Sequence, residues 1–213
     1  MSRISGPKWR RRKEERPRDI IAAALRIFAE KGFAGARIEQ IAQSAGVSKG
    51  TLYLYFDNKE DIFRAVVRDM VVPNVETIRD SLLAVDLPFA ALVRNFLPRF
   101  AAVVTKLPIG AVAKMVIGES RNFPELAQVW HDEVILKAVG LIAELVIRAQ
   151  ARGEVCAGDP RVHALSIMGP MLVGVLWRET FTPIGGAAID LPAIARQHAE
   201  TVLGGLLIAE HRP

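Results

Sequence analysis

An all-α fold is expected for this chain of 213 residues, and three observations carry the expectation. Nowhere do apolar and polar residues alternate convincingly with a period of two, the mark of a half-buried strand. Apolar residues recur instead at intervals of three and four, as in Ile20, Ala23, Ala24, Ile27 and Phe28, which lays them along one stripe of a helix. Start and stop signals bracket these runs: Asp159-Pro160 opens one and Gly153 closes another, in the cap positions those residues favour.

The elements follow in order. Met1–Arg16 is a basic arm with Arg10, Arg11, Arg12 and Lys13 in one run. It reads either as a solvated tail or as an extension reaching neighbouring phosphates. Pro17 suits a first helical position, and the first helix runs over Arg18–Lys31 to a stop at Gly32. Ile38, Ile41, Ala42 and Ala45 mark a second, short helix. Gly46 closes it by entering the left-handed conformation, and Ser48 caps a third helix that buries Leu52. Two short helices around a glycine turn describe a helix-turn-helix unit, which needs supports on either side because it cannot bury a core alone.

The downstream support opens at Lys59 and continues through Ile62, Phe63, Val66, Val67 and Met70 to about Val85, with Pro73 expected to kink it. Its distal residues Val75, Ile78 and Leu82 are expected to pack in the larger domain. Further helices are expected over Pro88–Lys106 and Pro108–Glu119, then from an Asn122 cap with Pro124 to Arg152. The last two run from Asp159-Pro160 to about Phe181 and from Leu191 to about Glu210, with Thr182–Asp190 a loop between them. The expected organisation is a basic arm over 1–16, a helix-turn-helix domain over 17–64 and a larger helical domain over 65–213.

The string FAEKGFAGARIEQIAQSAGVSKGTLYLYFDNKEDIF, Phe28 to Phe63, resembles the TetR family of transcriptional regulators. GVSKGTLYLYFDNKEDIF is its most specific part. A looser likeness extends to ESRNFPEL and MGPMLVGVLWRETF. The chain departs from the family where the first motif helix begins: Ala36 and Arg37 stand where Thr or Ser is usual. That removes a cap and a hydroxyl contact, and Arg37 would supply a charged one. The resemblance implies a ligand-responsive, homodimeric regulator, a repressor by expectation, that reads a palindromic operator.

Charge supports the DNA-binding half. Residues 1–64 hold 14 Lys and Arg against 8 Asp and Glu, while the remainder holds 14 against 15. All the excess positive charge therefore accompanies the helix-turn-helix, as phosphate binding requires. The DNA contacts expected are Arg37, Ser48, Lys49, Gly50, Thr51, Tyr53, Tyr55 and Lys59. Lys49 would bring charge, Thr51 a hydroxyl and a methyl, and the tyrosines phenolic donors. Gly50 would let the backbone come close, and Lys59 would clamp a phosphate at a helix start. Half-buried packing is the alternative for either tyrosine.

The C-terminal half is strongly apolar: 51% of all residues are hydrophobic and mean hydropathy is +0.22 despite 24% charge. Phe96, Phe100, Met115, Glu119, Trp130, Met168 and Trp177 are the candidates for a pocket taking an apolar or amphipathic small molecule, and a plain core is the alternative. The longest uncharged stretch there, Val162–Trp177, spans 16 residues, short of a membrane span. With Val162, Gly169 and Gly174 it is expected to join Leu203, Leu206 and Leu207 in a four-helix dimer contact, and a wholly intramolecular buried helix is the alternative.

The remaining expectations are negative. A lone cysteine, Cys156, precludes an internal disulfide and suits a reducing cytoplasm, and no secretory signal opens the chain. The four histidines are scattered, and no metalloprotease, nucleophile-elbow or phosphate-loop motif occurs. No enzyme activity, cofactor or metal is expected. The alternatives are a constitutive DNA binder without an effector, although it would not need so large an apolar half, and, more remotely, an all-α enzyme.

Overall fold

The computed structural model describes residues 8–106 and 109–208, with no strand among them. Helix α1 extends over Lys8–Gly35, α2 over Ile38–Ser44 and α3 over Lys49–Tyr53. Pro17 lies inside α1 and not at its start, so part of the stretch expected as an arm is helical from Lys8 onward. Met1–Pro7 fall outside the described residues. The stop at Gly32 is real: its φ of 71° and ψ of 173° break α1 and leave Phe33–Gly35 as a separate turn. That break delivers Phe33 into a ring cluster, 5.4 Å from Phe28, 6.1 Å from Phe63 and 5.0 Å from Phe123.

Helix α4 spans Lys59–Val66 and continues through a wide π turn, Val67–Val71, into α5, Val72–Leu83. The distortion expected at Pro73 sits just upstream of it. Pro73 has no N–H to give Asp69, and its ring presses on that carbonyl, so the helix widens and Val72 N–H reaches back five residues to Val67. Helices α6 (Phe89–Lys106), α7 (Ile109–Glu119) and α8 (Pro124–Trp130) follow. The N-cap of α8 is Phe123 with no side-chain bond, and Asn122 lies in the preceding turn, so the expected Asn122 cap does not form. A second π turn, His131–Ile135, joins α8 to α9, Leu136–Ala151. Asp159 caps α10, Pro160–Thr180, by accepting from Arg161 N–H at 2.8 Å. Helix α11 covers Leu191–Leu206; Leu207 lies beyond it in an isolated antiparallel bridge to Val155, short of the expected end.

Burial divides the helices into two cores that do not coincide with the chain's two halves. The first gathers α1–α4 together with Val112, Met115 and Val116 of α7, Leu126 and Trp130 of α8, and Val134. The second is built from α6, α9, α10 and α11, around Phe89, Leu97, Val146, Ile167, Met171 and Leu203. Both long helices, α4–α5 and α8–α9, pass from the first region toward the second through their π turns. The two turns lie against each other, and Glu133 accepts from Arg68 at 3.2 Å and from Lys137 at 3.2 Å. These two bonds, Lys137 first, hold the Glu133 carboxyl below its ordinary range.

Candidate nucleic-acid interface

The turn between α2 and α3 is made by hydrogen bonds that require Gly46. With φ at +67°, Gly46 N–H donates to Gln43 O at 3.1 Å and Val47 N–H to Ala42 O at 3.0 Å. This double closure is the Schellman arrangement, which needs a residue with positive φ. Ser48 then stops the chain from drifting: its Oγ accepts from Thr51 N–H at 3.0 Å and lies 2.8 Å from the Thr51 hydroxyl. Leu52, fully buried, anchors α3 to the first core beside Ile41 and Ala42. Burying Leu52 turns Ser48, Lys49, Gly50 and Tyr53 outward, all exposed, with Thr51 half-buried.

The electrostatics of this face are not those of a bare cation. Lys49 is ion-paired with Glu39 of α2, and its ammonium lies 5.8 Å from the Tyr53 ring centroid. The hydrogen bond between them pulls the Glu39 carboxyl down and raises the lysine; the charge of Arg37 adds slightly to the former. Arg37 itself is exposed at the N-cap of α2 and makes no side-chain cap bond. No carbon or polar atom of the fold beyond Ser48 Oγ stands within 4 Å of where a Cβ on Gly50 would be, so its backbone is open to approach. Tyr55 is half-buried against the first core. Lys59 is directed inward: Nζ donates to Phe33 O at 2.6 Å and Ala36 O at 3.2 Å and rests 4.3 Å from the Phe33 ring centroid. At most one of its three N–H groups is left for a phosphate.

Two residues of this surface escaped the sequence reading. Leu54 is 81% exposed immediately after α3, and Glu39 occupies the lysine. The helical step was the available signal for Leu54. Two residues from buried Leu52 is about 200° around the helix, the opposite face.

The candidates for an effector pocket do not converge. Phe96 and Phe100 meet ring to ring at 5.7 Å beside the second core, where Met168 also packs. Met115 and Trp130 are buried in the first core. Trp177 is 39% exposed, its ring tilted against Phe181 with centroids 5.0 Å apart, and it donates Nε1–H to Ala187 O. The Glu119 carboxylate accepts from Phe33 and Ala34 N–H at 2.7 and 2.8 Å. Two open clefts of about 220 and 260 Å³ flank α9, between it and the α5 region, and none of these seven residues lines either.

The dimer candidates separate into two groups. Val162, 56% exposed, shares an outward face of α10 with Leu165, Leu172 and Val173, and a Cβ on Gly169 would meet nothing. Leu203, Leu206 and Leu207 are buried within the protomer, and Gly174 is packed so closely under the Leu191 side chain of α11 that any Cβ would collide with it. These four residues hold the protomer together. Among the described residues, no three His, Cys, Asp or Glu gather where a metal ion could be held, and no single helix is long and apolar enough to cross a membrane.

A capped recognition helix, set out from a glycine turn by one buried leucine and carrying polar side chains, defines a helix-turn-helix DNA-binding regulator. Residues 20–66 match the bacterial regulatory proteins of the tetR family, and residues 89–191 match the tetracyclin repressor-like C-terminal domain. The HTH-type transcriptional regulator RutR of Escherichia coli K12 is 31% identical over 166 residues, covering 76% of this chain and 70% of its own. The fatty acid degradation regulator FadR of Bacillus halodurans superposes with a TM-score of 0.75 at 25% identity, over 95% of this chain and 98% of its own. The Bacillus subtilis regulator FadR, solved in complex with stearoyl-CoA, gives 0.74 at 20% identity, over 88% and 98%. The chain belongs to the TetR family of transcriptional regulators.

Proposed function

We propose that the protein is an effector-responsive repressor that binds a two-fold symmetric operator as a homodimer. The exposed face of α3 carries the reading of DNA: a cap, an open glycine backbone, a lysine and a tyrosine stand together on a helix that cannot rotate, because Leu52 and the Gly46 turn hold it. Such a helix presents its N-terminal side chains to a major groove, and a two-fold dimer presents two of them.

The dimer is assigned to the outward face of α10. Val162, Leu165, Leu172 and Val173 repeat at helical spacing and are each about half exposed or more, an apolar stripe that a symmetry mate would cover. The proposed effector is an apolar or amphipathic small molecule. Phe96 belongs to one core and Met115 and Trp130 to the other, so a molecule touching both sets lies at their seam. The FadR complex with stearoyl-CoA supports this class of ligand.

Selection of duplexes from a random pool by the purified protein tests the reading. It should return sites with inverted symmetry, and a ligand found by thermal shift should release them. Sites without a two-fold axis, or an operator affinity indifferent to saturating ligand, would argue against the dimeric and the effector parts respectively. An effector shifts DNA affinity only by its own preference between two states, typically 1–3 kcal/mol.

A further inference from the structure

Four charged hydrogen bonds converge where α1 breaks. The turn Phe33–Ala36 presents two N–H groups to the Glu119 carboxylate, at the C-terminal end of α7, and two carbonyls to Lys59, at the start of α4. The first N–H groups of any helical turn lack partners inside it, and a carboxylate aimed at them makes a short, charge-assisted pair. Gly32 is required twice over at this point. Its φ of +71° is unfavourable for other residues, and a Cβ would lie 2.6 Å from Glu119 Oε1. The Phe33 ring lies under the Lys59 ammonium and edge-on to Phe123, the residue that precedes α8.

We propose that Glu119 is a positioning residue for DNA binding. It is the group through which α7 sets the angle at which α2 and α3 leave α1. The inference rests on the DNA-binding reading above. Other contacts between α7 and the head are apolar, through Val112, Met115 and Val116. Apolar contact is non-directional: it fixes how close two helices stand, not the rotation of a short turn between them. Hydrogen bonds to two consecutive N–H groups do fix that rotation, because each weakens steeply off axis. Helix α2 begins five residues after Phe33, and the buried contact of Ile41, Ala42 and Leu52 carries α3 with it. Lys59 grips the other side of the same turn, so α4 follows.

The test uses the full-length protein and a duplex selected by the wild type, with affinity measured well below every variant's melting temperature. Glu119→Ala should lose about tenfold in operator affinity, as expected when two N–H donors, one of them part-buried, lose a charged acceptor. Glu119→Gln keeps one acceptor oxygen and should lose less. Gly32→Ala displaces the carboxylate, so adding it to Glu119→Ala should cost less than the two single losses combined. Ile142→Val, in the second core, serves as the purely structural control; it should lower the melting temperature and leave affinity alone. A folded Glu119→Ala protein with wild-type affinity, or fully additive losses in the double variant, would overturn the proposal. If Glu119→Ala does not fold, Glu119→Gln decides by the same criterion. A wild type that selects no duplex would instead remove the DNA-binding reading on which this rests.

Discussion

Lys49, on the exposed face of α3, is already engaged by Glu39, so a phosphate approaching that face would compete with a carboxylate for it. Lys49→Ala should weaken binding across sequences and flatten the salt slope by about one unit, if its ammonium meets a phosphate. Glu39→Gln should act in the opposite sense, raising affinity most at low salt, because it frees the lysine and removes a negative charge from the interface. Titrating both variants over a range of salt concentrations checks the pair; a Glu39→Gln protein that binds more weakly would mean that the carboxylate itself accepts from a base. Lys59 is a different case. Its two carbonyl partners make it a brace of the head, so Lys59→Ala should lower stability and change the salt slope by less than Lys49→Ala does. Ser48→Ala should cost about 1 kcal/mol of stability through the lost cap, readable by denaturant titration.

At the scale of single elements, the Gly46 turn and the paired π turns behave differently. Gly46→Ala meets no neighbour within 4 Å, so its cost is conformational alone, about 1–2 kcal/mol for a left-handed alanine. This turn was legible because a glycine after an apolar run has one local job. The π turn at Val67–Val71 was half legible, since Pro73 announced a disturbance but not its form. The turn at His131–Ile135 was not legible at all: no proline marks it, and the turn it lies against, Val67–Val71, is remote in sequence. Their shared Glu133 provides a pH test. Its folded-state pKa is depressed, so its contribution is present above the ordinary glutamate range and is lost as pH falls through the lower folded value. Melting temperature followed from pH 7 to pH 3 should fall less steeply for Glu133→Gln than for the wild type.

Across the whole molecule, periodicity identified which residues are apolar but not which partner they meet. Gly174, Leu203, Leu206 and Val162 all read as one interface, because a core helix and a dimer helix have the same composition. Only placement separates them. The dimer is therefore tested on the outward face: Leu165→Glu should yield folded monomers by sedimentation. Gly174→Glu would break the protomer's own packing on Leu191 and report nothing about assembly. Trp177 is likewise half outside, so Trp177→Ala should cost well under the ~3–5 kcal/mol typical of a buried large aromatic.

The first core draws part of its substance from α7 and α8, whose contributing residues Val112–Trp130 lie far downstream of the recognition helix Lys49–Tyr53. Modularity in this protein therefore does not follow the order of the chain. A chimera spliced at residue 64, carrying this reading head on a relative's C-terminal half, would inherit Phe28, Phe33 and Phe63 but not the surfaces of Met115, Leu126 and Trp130 shaped to cover them. Exchanging operator specificity between regulators would demand that α7 and α8 be transplanted with the head, or that the graft be confined to the outward residues of α3.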